Sequence, residues 1–408
     1  MSFSLKMTYL TTTMRSEKME NIGVIFGGRS VEHEVSVITG MQIIENMDKT
    51  KYNPIPIYIT KSGKFLSGES LKNFKAYKNQ DFHDGVEVFF KPIYGDRNLY
   101  CVKHNDKKLF KAEYDSVEVY QKIDAIFFAL HGTFGEDGCT QGLFELMGMP
   151  YTGCGVMSAA VGMDKVVMRK VFESENIPMT KYKYFYKDEL KNLQNIVEKC
   201  KDLKYPLFVK PANLGSSIGI SRVENALDLS KALEVAAHYD RKIIVEEAVV
   251  NPREINVAVL GYEDDLKVSA AEEPLGFKDL LKYEDKYVSG SKGAKSSQKH
   301  QNKKLPADLT PELEKEIKDL AKKSFRAIDG AGVARIDFLV DGHVAYVNEI
   351  NTLPGSIAFY LYEVEGLKIK DLITRLIELG HERYNERAEN SYSIDSNLFN
   401  MTSYGAKI

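Results

Sequence analysis

The stretch from Ala334 to Gly355 constrains this chain most, because it reads as two short apolar strands joined by a turn at Asp341-Gly342. A pair of this kind must lie in an antiparallel sheet with one face buried. Asp337 lies on one strand, with Glu349 and Asn351 on the other. The last two are two residues apart and so point to the same face. If the strands pair across the turn, three oxygen donors converge there. Such a set suits a hard cation, and magnesium usually completes its shell with water and phosphate. A plain solvated face of an antiparallel pair gives the same local pattern, so the rest of the chain must decide between the two readings.

A chain of 408 residues has room for about two or three domains. Its net charge of -3, with Lys and Glu interspersed, gives no general reason to expect nucleic acid or membrane surfaces as partners. Cys101, Cys139, Cys154 and Cys200 are far apart and form no CxxC pair, which argues against zinc or a disulfide framework and suits a reducing cytoplasm. No apolar run approaches the ~20 residues of a membrane span. Residues 1–20 lack the apolar centre of a secretory signal and read as a disordered extension, with Met14 or Met19 as alternative starts.

In chain order, NIGVIF is a buried-type strand followed by Gly27-Gly28-Arg29-Ser30 and a helix start that includes Glu32. A carboxylate there suits either the helix dipole or a ligand. The region from Lys61 to about Lys122 is broken by Gly and Pro and reads as excursions from the first domain. DAIFFAL returns as a strand ending in His131 and HGTFGEDG, at a carboxyl end where open parallel sheets commonly bind ligands. His131 reads equally well as a satisfied core histidine. A single helix is expected over Ser158 to Glu175, and after it comes a strand ending on Lys210. The following Gly215-Ser216-Ser217 turn can bring N–H groups and hydroxyls to a phosphate, although it lacks the GK[ST] ending of a P-loop. Residues 278–304 are polar, aperiodic and long enough for a lid, with Tyr283, Lys286 and Tyr287 as anchors. A helix is expected from Leu367 to Leu379, and 386–408 reads as a polar tail.

Taken together, GGRSVEHEVS, HGTFGEDG, PYTGCGVMSAAVGMDK, FVKPANLGSSIG, YEDKY and RIDF…NEINTLPGS resemble the ATP-grasp ligases and, within them, the D-alanine:D-alanine ligase family. The resemblance covers roughly Asn21 to Leu379. It implies an α/β chain in which an ATP-grasp fold is preceded by a Rossmann-like parallel-sheet N-terminal domain. The expected domains are residues 21–155, a central ATP-grasp subdomain at 156–245 and a C-terminal one at 246–385. ATP would have Lys165, Lys210, Ser216, Ser217 and Lys286 on its phosphates. Glu246, Glu247, Ala248 and Val249 would lie along its adenine and Glu254 at its ribose. Asp337, Glu349 and Asn351 would hold two Mg2+ ions, with Mn2+ as a substitute. The implied reaction activates D-alanine as an acyl phosphate, which a second D-alanine attacks to give a peptidoglycan precursor. Glu32 would pair with the first ammonium, and His131 would lie near its carboxylate. Ser216 and Tyr287 would complete a set with Glu32, while Arg335 and the N–H of Gly355 would stabilise the oxyanion. A homodimer is the assembly the family suggests.

Two departures concern the second substrate. Where the family has a serine for its carboxylate, this chain has Tyr360, with Ser356 as a substitute hydroxyl. The lid is also unusually basic and rich in serine. Both leave room for a D-alanine:D-serine ligase or one for another D-amino acid. A non-catalytic paralogue binding ATP or D-amino acids is a rival of another class, opposed by the intact set Lys165, Lys210, Arg335, Asp337, Glu349 and Asn351.

Overall fold

The computed structural model describes residues 19–103, 115–275 and 303–395. The expected lid anchors Tyr283, Lys286 and Tyr287 lie outside the described residues, as do the start and the end of the chain.

Strand β1 (Glu20–Gly27) is apolar along nearly its whole length because it is covered on both faces. It pairs in parallel with β2 (Tyr52–Ile59) and β7 (Ala125–Phe128). The region read as excursions supplies β3 (Phe65–Ser67), β4 (Val86–Phe90), β5 (Asn98–Lys103) and β6 (Ser116–Lys122). These extend the sheet in antiparallel fashion to the order β6-β5-β4-β3-β2-β1-β7. The parallel sheet expected of this domain is therefore confined to three neighbouring strands, and their carboxyl ends face the site.

A second sheet, β10-β9-β11-β8, is built from β8 (Tyr182–Tyr186), β9 (Leu207–Pro211), β10 (Ser221–Val223) and β11 (Lys242–Glu247). Leu207, Val209, Ile243 and Val245 bury one face against helix Ala226–Tyr239, leaving Phe208, Lys210 and Glu246 on the other. The expected single helix over Ser158 to Glu175 is two, Val156–Met163 and Lys165–Ser174. They are separated at Asp164, whose carboxylate accepts from the N–H groups of Val166 and Val167 at 3.0 and 3.1 Å. An aspartate that caps a new helix cannot also continue the old one.

The third sheet, β13-β12-β16-β17, contains the hairpin expected between Ala334 and Gly355. It comprises β12 (Arg253–Tyr262), β13 (Asp265–Val268), β16 (Ala331–Asp341) and β17 (Val344–Asn351). The turn falls at Gly342-His343, one residue later than expected, because Asp341 still pairs with Val344. Gly342 takes φ +59°, which this tight connection needs. Ile336, Phe338, Val340, Ala345, Val347 and Ile350 bury the rear face against helix Pro311–Ala327. Along β17 the buried positions run Ala345, Val347 and then Ile350, so the alternation slips by one residue. The register slips with it: Phe338 opposes Val347, while Asp337 opposes Glu349. This bulge at Asn348 turns Glu349 away from the core and toward Asp337.

The expected helix near Leu367 runs from Ile369 to Ala388, further than its first apolar stretch suggested. It packs with residues of β1, β7 and β12 in one shared core. Phe338 is only 1% exposed in the core behind the hairpin, so Phe338→Ala should cost about 3–5 kcal/mol. Urea unfolding is expected to show the midpoint falling accordingly; an unchanged midpoint would contradict the packing described for this face.

Candidate active site

Directly opposed residues of an antiparallel pair share a face. Asp337 opposes Glu349 and Arg335 opposes Asn351, so all four side chains rise from the front of the third sheet. Arg335 forks onto Asp337 with Nε to Oδ1 at 2.7 Å and its terminal nitrogen to Oδ2 at 2.8 Å. Burial works against the guanidinium charge, but the Asp337 carboxylate outweighs it and keeps Arg335 firmly protonated. Asn351 Nδ2 donates to Asp337 Oδ2 at 3.2 Å. Lys165, in the first turn of its helix, places Nζ 3.5 Å from Glu349 Oε2 and donates to the Leu214 carbonyl at 3.1 Å. The donors expected to hold magnesium therefore do meet on one face. The set fits a hard cation in its chemistry: two carboxylates and an amide, all oxygen donors on one face. Glu254 lies on β12 with its side chain toward this same front, two positions from Asn256, which opposes Asp337.

The second sheet contributes a buried charge cluster. Lys210 and Arg169 each pair with one oxygen of Glu246. Burial of Glu246 raises its pKa, but these two cations prevail and hold the carboxyl below its ordinary range. The Glu246 carboxylate fixes Arg169 and Lys210, the latter itself expected at the phosphates of the nucleotide. Glu247 points to the other side of the strand and accepts from the Lys204 N–H at 3.0 Å, and the Ala248 N–H donates to the Pro206 carbonyl at 2.9 Å. Val249 follows them, partly exposed. Asp164, besides capping its helix, pairs with the buried Lys242 and so anchors Lys165.

The N-terminal domain closes the third side. Ser216 Oγ donates to Glu32, bringing together two residues 184 positions apart in the chain. Ser216 and Ser217 both adopt left-handed φ, +55° and +58°. Gly132 has φ +69°, and a Cβ there would come within 2.4 Å of Ser30 Oγ and 2.8 Å of Glu32 Oε2. Only glycine allows the HGTFGEDG loop to approach Glu32 this closely.

His131 is buried, with Nδ1 2.8 Å from the Leu353 carbonyl and Nε2 2.8 Å from Thr39 Oγ1. A carbonyl only accepts, so Nδ1 carries the proton and Nε2 accepts from the threonine. Burial holds the imidazole below its usual pKa against the pull of Glu32, which fits this neutral tautomer. Thr39 Oγ1 in turn accepts from the Ser356 N–H at 3.1 Å. The relay fixes the 353–356 turn to the N-terminal domain. Beyond Gly355, residues Ser356, Ile357 and Ala358 take φ +53°, +49° and +52°. A left-handed conformation is costly for a β-branched residue such as Ile357, and here it persists in a buried turn beside the site.

Glu136 was not singled out from the sequence, although it lies in a motif that was. Its Oε2 accepts from the Gly132 N–H at 2.7 Å and its Oε1 from the Leu353 N–H at 3.1 Å. Burial, helped by the charge of Glu32, pushes its pKa up to about 8. Arg169, Thr39, Asp164 and Lys242 were also missed as functional residues, and only their partners distant in sequence identify them.

Glu32, Glu136, Lys165, Ser216, Arg335, Glu349 and Asn351 together line a small polar cavity. A larger cleft, of about 670 Å³ and lined by residues such as Tyr94, Leu146, Tyr384 and Tyr392, lies away from these groups. Its size does not make it the reaction centre, because the one carboxylate in its lining, Glu145, is already paired with Arg387. Among the described residues no helix is long and apolar enough to cross a membrane. The lining of the small polar cavity can offer Lys165 and Arg335 to an anion, the Glu349 carboxylate to a cation and the Glu32 carboxylate to an ammonium.

Comparison with known proteins agrees with this chemistry. Residues 21–154 match the family model described as D-ala D-ala ligase N-terminus, and residues 171–378 match D-ala D-ala ligase C-terminus. A D-alanine–D-alanine ligase of Thermosipho africanus is 37% identical over 94% of this chain and 99% of its own length. One from Acetivibrio thermocellus is 40% identical over 89% of this chain and 96% of its own. Among solved structures, the VanG D-Ala:D-Ser ligase of Enterococcus faecalis superposes with a TM-score of 0.73 at 31% identity, covering 89% of this chain and all of that one. The D-alanine-D-alanine ligase of Coxiella burnetii does so with a TM-score of 0.71 at 27% identity, over 91% and 96% of the two chains.

A carboxyl whose pKa is higher in the folded state binds its proton more tightly there, so its contribution to stability is complete below pH ~4.5. That contribution is lost as pH rises through about 8. Melting temperature should therefore fall between pH 6 and pH 9, and Glu136→Gln should flatten that slope. An equal slope in the variant would remove Glu136 as its cause.

Proposed function

The chain belongs to the D-alanine–D-alanine ligase family, and we propose that it joins two D-alanines at the cost of ATP, through an acyl phosphate, to supply peptidoglycan precursors. The observation that carries this reading is the single front of Arg335, Asp337, Glu349 and Asn351 facing Lys165 and the Glu32–Ser216 pair.

Glu32 receives the ammonium of the first D-alanine and orients its carboxylate toward the nucleotide. Ser216, bonded to Glu32, links that substrate to the turn that covers the phosphates. Lys165 and Lys210 draw in the phosphates of ATP, with Ser217 and Lys286 completing the set, while Glu247, Ala248 and Val249 line the adenine and Glu254 the ribose. Asp337, Glu349 and Asn351 hold divalent metal, two Mg2+ or Mn2+ ions, which neutralises charge on the phosphates.

A carboxylate oxygen of D-alanine attacks the terminal phosphorus, ADP leaves, and an acyl phosphate forms. The free amine of the second D-alanine then attacks the acyl carbon; inorganic phosphate departs and the amine loses a proton. Arg335 and the Gly355 N–H stabilise the oxyanion that develops. His131, neutral and fixed by Thr39 and Leu353, holds the turn bearing Gly355 and lies near the carboxylate of the first D-alanine. Tyr287 acts with Glu32 and Ser216 when the substrate is enclosed. The family also leads us to propose a cytoplasmic homodimer.

D-Serine as the second amino acid is the alternative reading, favoured by Tyr360 at the acceptor side, where its hydroxyl is already bonded to Glu272. Product analysis by mass, after incubation with ATP, magnesium and each D-amino acid alone or paired, separates the two. D-alanyl-D-alanine should dominate. A predominantly mixed dipeptide would reassign the acceptor, and no amino-acid-dependent ADP formation would overturn the ligase reading.

At saturating magnesium, Arg335→Ala should lower kcat by about 10²–10³-fold, the loss typical of one oxyanion donor. The KM for ATP should stay within a few-fold. Steady-state kinetics showing equal losses in nucleotide affinity and turnover would contradict the role given to Arg335.

A further inference from the structure

Beside Arg335, on the side away from Lys165, lies a second polar group that the reaction described above leaves unused. Glu272 opposes Asn256 in an isolated antiparallel bridge, and Asn256 opposes Asp337, which opposes Glu349. These four residues form one row across the sheet, so Glu272 shares the front that carries the reaction. It is only 6% exposed. Its Oε2 accepts the Tyr360 hydroxyl at 3.1 Å, and its Oε1 accepts Lys303 Nζ at 2.9 Å. The Lys303 ammonium also sits 4.0 Å from the centroid of the Tyr360 ring. Tyr360 itself lies within electrostatic reach of Arg335.

Extending the ligase reading, we infer that Lys303 binds the carboxylate of the acceptor amino acid, with Glu272 and Tyr360 as the residues that position it. An acceptor whose amine attacks beside Arg335 brings a carboxylate into this corner. Arg335 is forked onto Asp337, Lys165 is shared by Glu349 and the Leu214 carbonyl, and the only hydroxyl hydrogen of Tyr360 goes to Glu272. An ammonium has three donors. One is spent on Glu272 and one face rests on the tyrosine ring, so a donor is left for a second carboxylate. The adjacent Glu273 is already served by Arg253 at 2.9 and 2.8 Å, with Lys304 nearby. Bracing of the short β14 (Glu273–Pro274) and β15 (Lys303–Lys304) ladder therefore does not require the Lys303 ammonium.

The test compares D-alanine with D-alaninamide as acceptor, using D-alanine as donor in the full-length enzyme. Wild type should strongly prefer the free acid. Lys303→Met should raise the acceptor KM for D-alanine roughly 10- to 100-fold, as loss of a hydrogen bond to a charged group implies. The preference over the amide should collapse, with the KM values for donor and ATP changing little, and Lys303→Arg should restore it. Glu272→Gln, which keeps the shape, should weaken the preference in part. A preference unchanged in Lys303→Met, or a loss equal for acid and amide, would overturn the inference while leaving the ligase reading intact. Failure of wild type to form any dipeptide would overturn both.

Discussion

The structure depends on one burial constraint in the β16–β17 hairpin. Its rear face must pack against helix Pro311–Ala327, and this compels Arg335, Asp337, Glu349 and Asn351 onto the front. Apolar burial supplies the driving force, at roughly 25 cal/mol per Å² of surface removed from water. The charged residues themselves contribute little net stability, because partial burial costs nearly what pairing returns. They stay where they are because moving them would carry Ile336, Phe338 and Ile350 out of the core. The bulge at Asn348 matters for the same reason. Without it, Val347 and Glu349 would share a face, and either the core or the site would be lost.

The remaining parts of the site are held by charge pairs that bridge separate elements. Glu246 unites Arg169 and Lys210, Asp164 unites a helix cap with Lys242, and Glu32 meets Ser216 across 184 positions of the chain. The His131–Thr39–Ser356 relay plays the corresponding part for the left-handed turn after Gly355. Each bond fixes a group to which the proposed reaction assigns a part. Preorganisation of this kind places the cost of arranging charges in folding rather than in the transition state.

Much of this was legible in the sequence wherever a signal is local. The hairpin and the shared face of Glu349 and Asn351 follow from period-two patterning and a glycine turn, whereas the bulge at Asn348 that brings Glu349 opposite Asp337 breaks that period and has no local signal. The turn was misplaced by one residue because Asp341-Gly342 and Gly342-His343 are equally able to supply it, and only the register decides. The single helix expected over Ser158 to Glu175 failed because the capping role of Asp164 is invisible to helical periodicity. Arg169, Glu136 and Thr39 escaped notice for a different reason: their meaning lies in partners 77, 217 and 92 positions away. The antiparallel strands between Lys61 and Lys122 are short, and polar on one side, which hid them among turn residues.

The central claim is that the front of the third sheet receives a metal-bound nucleotide. Its most direct test is titration of Mn2+ followed by electron paramagnetic resonance in the presence of ADP, comparing wild type with Glu349→Gln and Asp337→Asn. Wild type should bind the ion tightly with nucleotide present, and each substitution should weaken that binding by an order of magnitude or more while the protein stays folded. Undiminished binding in both variants would show that the nucleotide metal is held elsewhere and would contradict the account of this face.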